Sequence, residues 1–137
     1  MADRPDDLLR HIERICRFTV AGIWAFQGLV PKLLGPDADE LLMASAFGIR
    51  PEFQHAASYA AGAAELLLAA CVLLSGRVWP YLASIAVAAG LLVFVLLYAP
   101  RYLGAAFNPV VMNVALAALS GIGALVARAR PAREQAP

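Results

Sequence analysis

The sequence predicts an all-α, polytopic membrane protein: a four-transmembrane-helix bundle with a short external surface helix. Three observations carry that reading. Of 137 residues, 61% are hydrophobic and only 15% charged, well outside ordinary globular usage. The charges are unevenly spread, with none between Val78 and Pro100 and none between Tyr102 and Ala127. Such runs exceed the roughly 20 apolar residues that cross a hydrocarbon core. Prolines and one polar loop then cut the apolar sequence into span-length pieces. The length suits a single domain, residues 1–137.

The first span is expected at about 15–34, with Arg17 and Lys32 near its two ends, where long stems let the charges reach the interface. Ahead of it, "DDLLRHIERICR" is amphipathic. Leu8, Ile12 and Ile15 form one stripe, and Arg10, Arg14 and Arg17 form another, read as a headgroup-facing anchor. Asp3, Asp6, Asp7 and Glu13 lie among the arginines, and no small-residue cleavage site follows the first apolar run. Both features fit a cleaved signal peptide badly. Pro31, in the last turn, kinks or ends the span.

The loop "GPDADELLMASAFGIRP" follows. Asp37 and Glu40 have capping-box spacing, Leu41, Leu42 and Ser45 share a face, and Gly48 with Pro51 supplies a stop. A short surface helix over about 39–47 is expected. The second span, about 56–75, contains Glu65. The third runs over about 78–99, with Pro80 in its first turn and Pro100 beyond its end. The fourth covers about 109–127, with Asn108 as N-cap and Pro109 at its first position. Ala86 with Gly90, and Ala117 with Gly121, have the spacing that permits close helix approach, within the bundle or in a homodimer.

Basic residues set the expected orientation. Arg4, Arg10, Arg14, Arg17, Arg77, Arg128, Arg130 and Arg133 fall on one side, and Lys32, Arg50 and Arg101 on the other. The excess places both termini in the cytoplasm of a bacterial-type inner membrane and the surface helix outside. A net charge of +1 gives no basic field for nucleic acid.

Depth follows from the helical rise. Glu65 stands about 14 Å from the outer end of its span, near the midplane, and Gln27 about 10 Å deep. Lys32 begins near the outer surface and reaches inward, and Asn113 lies one turn below the Asn108 cap. In a bundle these side chains turn inward and form an outward-biased polar pocket, with Trp24 and Tyr59 as its aromatic lining. The cytoplasmic half offers only Ser84, Ser120, Cys16 and Cys71. A charged carboxylate at mid-helix costs about 2.5–3.5 kcal/mol on the insertion scale, while each leucine or valine of that span returns about 0.3–0.6 kcal/mol. Glu65 is therefore expected to be neutral or paired, with Lys32 as the cation within reach.

Other chemistry finds little support. His11 and His55 fall on opposite faces of the membrane and cannot ligate one haem, and no metal-ligand spacing occurs. Cys16 and Cys71 lie at similar depth on the reducing side without a C-x-x-C motif, and are expected as buried small apolar residues. Trp79, Tyr81, Tyr98 and Tyr102 read as interfacial-belt residues.

"GLVPKLL", "DELLM", "GAAELLLAACVLLSG" and "FNPVVMNVALAALSGIG", in that order, resemble the DoxX-like membrane proteins. The resemblance implies a compact four-helix membrane bundle. It places Gly28, Pro31, Lys32, Asp39, Glu40, Glu65, Asn108, Pro109 and Asn113 on the family's recurrent positions. It also implies an accessory partnership with a membrane or membrane-associated oxidoreductase. No motif for flavin, haem or an iron–sulfur cluster is present; a quinone is the one cofactor-like molecule the reading admits.

The expected function is a non-catalytic membrane protein that binds a small amphipathic molecule, quinone- or lipid-like, or supports a redox enzyme. Its rivals are a small transporter in which Glu65 carries a proton, and a catalytic subunit of a quinone-linked oxidoreductase. No catalytic residue can be named. The site expected to touch a ligand comprises Glu65, Lys32, Gln27, Asn113, Asn108, Trp24 and Tyr59.

Overall fold

In the computed structural model, residues 5–104 and 108–129 are described. Arg4, Arg130 and Arg133, used above to set the orientation, lie outside them. Five α-helices carry the fold: α1 (Pro5–Gly28), α2 (Ala38–Ala46), α3 (Pro51–Ser75), α4 (Val78–Tyr98) and α5 (Pro109–Ala129). A π-helical turn, Leu29–Leu33, extends α1, and a 3-10 turn, Pro100–Gly104, follows α4. Among the described residues every regular element is helical.

Helices α3, α4 and α5 are each long and apolar enough to cross a membrane. A fourth span results if α1 with its π turn is counted together with α2, from which it is bent by 90°. The chain is thus an all-α polytopic membrane protein. The amphipathic segment and the first expected span are one continuous helix starting at Pro5, not an anchor followed by a span.

The sequence explains the helix ends. Pro31 has no N–H to donate, and its ring opposes the carbonyl four residues back. The helix widens there to i→i−5 bonding, seen in Leu34 N–H donating to the Leu29 carbonyl at 2.9 Å. Asp37 caps α2 by accepting from the Asp39 N–H at 3.0 Å, but Glu40 does not close the expected capping box. Its carboxylate turns to Lys32, because a buried ammonium is a stronger partner than a solvent-facing backbone N–H. Pro51 is not a stop for α2; it opens α3 at the first-turn position. Gly76, at φ +57°, ends α3 in the left-handed conformation that glycine adopts without strain. Asn108 caps α5 through its Oδ1, which accepts from Val110 N–H at 2.7 Å, and its Nδ2 donates to the Leu103 carbonyl.

Helix α1 packs against α3 and α5, and α4 packs against α5. Val20, Trp24, Val72, Tyr81, Ala88 and Leu116 meet in the core. Leu67, Leu74, Leu97, Val111 and Leu125 stay exposed on the outer faces, as lipid-facing leucines and valines should. In lipid, apolar burial drives association weakly, so close packing and buried polar bonds must hold the helices together. Both are present. α1 and α3 close on Gly28 and Gly62, and Gly123 of α5 accepts the Tyr81 ring. Trp24 Nε1 donates to Ser84 Oγ at 2.7 Å, and Ser84 Oγ lies 2.9 Å from Ser120 Oγ, tying α1, α4 and α5. Gly90 and Gly121, expected at close helix contacts within the bundle or in a homodimer, make none among the described residues: a methyl added to either would meet nothing within 4 Å.

Candidate functional site

The polar residues divide between the two ends of the bundle. At one end, the π turn brings Lys32 inward. Gly62 makes the room: a methyl there would stand 2.9 Å from Lys32 Cβ. Lys32 Nζ lies 3.1 Å from Glu65 Oε2 on α3 and 3.1 Å from Glu40 Oε1 on α2. None of the three side chains is more than 17% exposed. One ammonium thus bridges a carboxylate of α3 and a carboxylate of α2.

This triad sits in a cavity of about 420 Å³, inside the range typical of small-molecule sites. Gln27, Asn113 and Ser58 add polar groups to its wall, and Met43, Phe47, Phe94, Val95 and Met112 make the rest chiefly apolar. Asn113 is 5% exposed, and Gln27 Nε2 donates to Met112 Sδ at 3.6 Å. Ser58, a residue that sequence reasoning passed over, is buried with no partner for its hydroxyl among the described residues. Its signal was the spacing of Ser58, Gly62, Glu65, Ala69 and Val72, one small-and-polar face of α3.

Helix α2 covers the cavity and is held at three points. Glu40 binds Lys32. Asp39 Oδ1 accepts from the Tyr102 hydroxyl at 2.7 Å. Phe47 packs on Phe94 and Tyr98, with ring centroids 5.7 and 6.0 Å away. Burial, and then the bond to Asp39, push the Tyr102 hydroxyl above the ordinary tyrosine range.

Of the seven residues expected at the site, four line this cavity: Glu65, Lys32, Gln27 and Asn113. The other three lie elsewhere. Trp24 is wholly buried and spends its indole N–H on Ser84, a bond that a core tryptophan needs. Tyr59 is 43% exposed on an outer face of α3, and Asn108 is occupied as a helix cap.

The opposite end is not as bare as the sequence suggested. Glu13 is fully buried, with Oε1 2.6 Å from Arg17 Nη2 and accepting from the Tyr81 hydroxyl at 3.1 Å. Arg17 is therefore no headgroup anchor, and Tyr81 no belt residue. The Glu13–Arg17 spacing of four residues on one helix was the available signal. Cys16 is buried and Cys71 half-buried, both as free thiols.

Fold and site together define an integral membrane protein with a polar triad inside a largely apolar cavity. A family model, that of the DoxX-like family, matches residues 21–121. The chain belongs to that family. No curated protein and no solved structure matches it.

Proposed function

We propose that the protein is a binding protein of the membrane, taking a small amphipathic molecule into the cavity beneath α2. The observation that supports this is the pairing of chemistries in one space: a Glu40–Lys32–Glu65 triad on one wall, and Met43, Phe47, Phe94 and Met112 on another. A polar head meets the triad while an apolar body meets the thioethers and rings. Quinone-like and lipid-like molecules both have this construction. Orientation by the basic residues puts the termini in the cytoplasm of an inner membrane and the cavity in the outer half. A role beside a membrane oxidoreductase then consists in holding such a molecule for its partner.

The test is direct. The protein is purified into lipid nanodiscs, extracted with organic solvent, and the extract is quantified for quinones and other amphiphiles by mass spectrometry. Ala61→Trp fills the cavity that Ala61 lines. A near-stoichiometric molecule in the wild type, lost in Ala61→Trp at unchanged thermal stability, supports the proposal. Absence of any enriched molecule, together with no saturable uptake of added quinone or lipid, overturns it. Proton flux through liposomes bearing the protein, abolished by Glu65→Gln, would replace binding with transport.

A further inference from the structure

The charges of the cavity do not balance. Among the described residues its lining carries two carboxylates, Glu40 and Glu65, and one ammonium, Lys32. Lys32 Nζ is equidistant from both, at 3.1 Å, so neither carboxylate has the lysine to itself. The nearby arginines are engaged elsewhere: Arg50 with Glu52 at 3.2 Å, and Arg101 over the ring of Tyr102. One negative charge in excess, held away from water, is unfavourable unless another group compensates it.

Two further features of the same cavity describe what it can hold. Ser58 Oγ is buried and has no hydrogen-bond partner among the described residues, although most buried hydroxyls find one. Its residue is 5% exposed and lines the cavity, so it offers a polar contact that no described residue takes up. The apolar wall presents the rings of Phe47 and Phe94, with centroids 5.7 Å apart, a surface on which an apolar or aromatic body packs. Met43 and Met112 beside them adapt to bodies of varied shape.

We infer that the occupant carries one positive charge: a compact amphipathic amine or quaternary ammonium, its head near Glu65 and Glu40 and its body against Phe47, Phe94 and Met112. The inference rests on the binding reading above and narrows it. A neutral quinone head leaves the excess charge in place, and a phosphate head adds to it. A proton on Glu65 also cancels the excess, so proton and cation compete. The polar groups that share the cavity with Glu65 are Lys32 of the π turn, Glu40 of α2, Gln27 of α1, Ser58 of α3 and Asn113 of α5, while α4 contributes only apolar side chains. Lys32 stays with Glu40 when Glu65 is protonated, which leaves the site neutral.

The experiment compares a cation with a neutral molecule of the same shape and adds an anion of similar size. Benzyltrimethylammonium and its carbon isostere neopentylbenzene, with 4-tert-butylbenzoate as the anion, are equilibrated with the protein in nanodiscs, and uptake by empty nanodiscs is subtracted. The expected result is saturable binding of the cation, at least about tenfold tighter than of the isostere, and no binding of the anion. Raising the pH strengthens cation binding, and Glu65→Gln removes both the preference and its pH dependence. Glu52→Gln, outside the cavity, changes neither. Saturable binding of the isostere equal to or tighter than that of the cation overturns the inference and leaves the binding reading standing. Binding of none of the three by a protein that retains its wild-type thermal stability overturns the inference, and the binding reading then stands or falls on the quinone and lipid uptake described above.

Discussion

Gly28 of α1 and Gly62 of α3 meet backbone to backbone. A methyl on Gly28 would stand 2.6 Å from the Gly62 carbonyl oxygen, and one on Gly62 2.7 Å from the Gly28 carbonyl oxygen. This contact sets how near α1 comes to α3, and hence whether Lys32, one turn beyond Gly28, reaches Glu65. Gly28→Ala and Gly62→Ala should each destabilise by about 1–3 kcal/mol, the usual range for overpacking. Gly90→Ala and Gly121→Ala, where nothing lies within 4 Å, should be neutral or stabilising by about 0.5–1 kcal/mol. Unfolding of the four variants by denaturing detergent checks the contrast.

Lys32 and Glu65 should show energetic coupling. Lys32→Met leaves the buried Glu65 and the partly exposed Glu40 without their cation and should cost about 3–5 kcal/mol. Glu65→Gln should cost less, because Glu40 remains at 3.1 Å to hold the ammonium. A double-mutant cycle should return a coupling of about 0.5–3 kcal/mol; additivity within error would contradict the ion pair.

The Tyr102–Asp39 bond should make the anchorage of α2 sensitive to alkali. The Tyr102 hydroxyl is raised above its ordinary value of 10.0, by burial first and then by Asp39. A group whose folded pKa is raised stabilises fully below its unfolded value and loses that contribution as pH rises through the folded one. Protease susceptibility of the α2 loop should therefore be flat up to about pH 10 and climb above it. In Tyr102→Phe the loop should be more susceptible at neutral pH, and this alkaline step should vanish.

At the other end, Tyr81→Phe removes a hydroxyl that donates to a buried carboxylate at 3.1 Å. Hydrogen bonds to charged groups are worth about 1.5–3 kcal/mol, and a loss of that size is expected in thermal or detergent unfolding. Glu13→Leu should cost more than Tyr81→Phe, because it leaves the half-buried Arg17 without the carboxylate at 2.6 Å.

The proposed orientation makes its own prediction. A cysteine at the exposed position Ser45 of α2, in a background lacking Cys16 and Cys71, should react with a membrane-impermeant maleimide in intact cells. A cysteine at Arg77 should react only after permeabilisation. The reverse pattern would invert the topology and place the cavity in the inner half.

Much of the fold could be read from single residues and their spacing. The uncharged runs over 78–100 and 102–127 determined α4 and α5, because a bilayer tolerates few charges in its core. The caps at Asp37 and Asn108 are local chemistry, written in a few neighbouring positions. Glu65 announced a polar interior for the same reason: a carboxylate in lipid needs company. Depth alone brought Gln27, Lys32 and Asn113 within its reach, with Lys32 as the cation among them.

Tertiary structure decided what depth could not. Trp24 and Gln27 differ by less than one turn, yet one enters the core and binds Ser84 while the other faces the cavity. That difference depends on the angular position of α1 between α3 and α5, which the Gly28–Gly62 contact fixes. Glu40 looked like a cap residue because its spacing from Asp37 is local; its bond to Lys32 arises only when the Pro31 turn bends the chain by 90° and lays α2 across the bundle. Glu13 and Tyr81, 68 residues apart, likewise meet only through packing. Helix formation and membrane insertion follow from each residue's own free energy in a bilayer, so the sequence states them position by position. Which polar groups face one another follows from the rotation and approach of whole helices, a property that only the assembled bundle possesses.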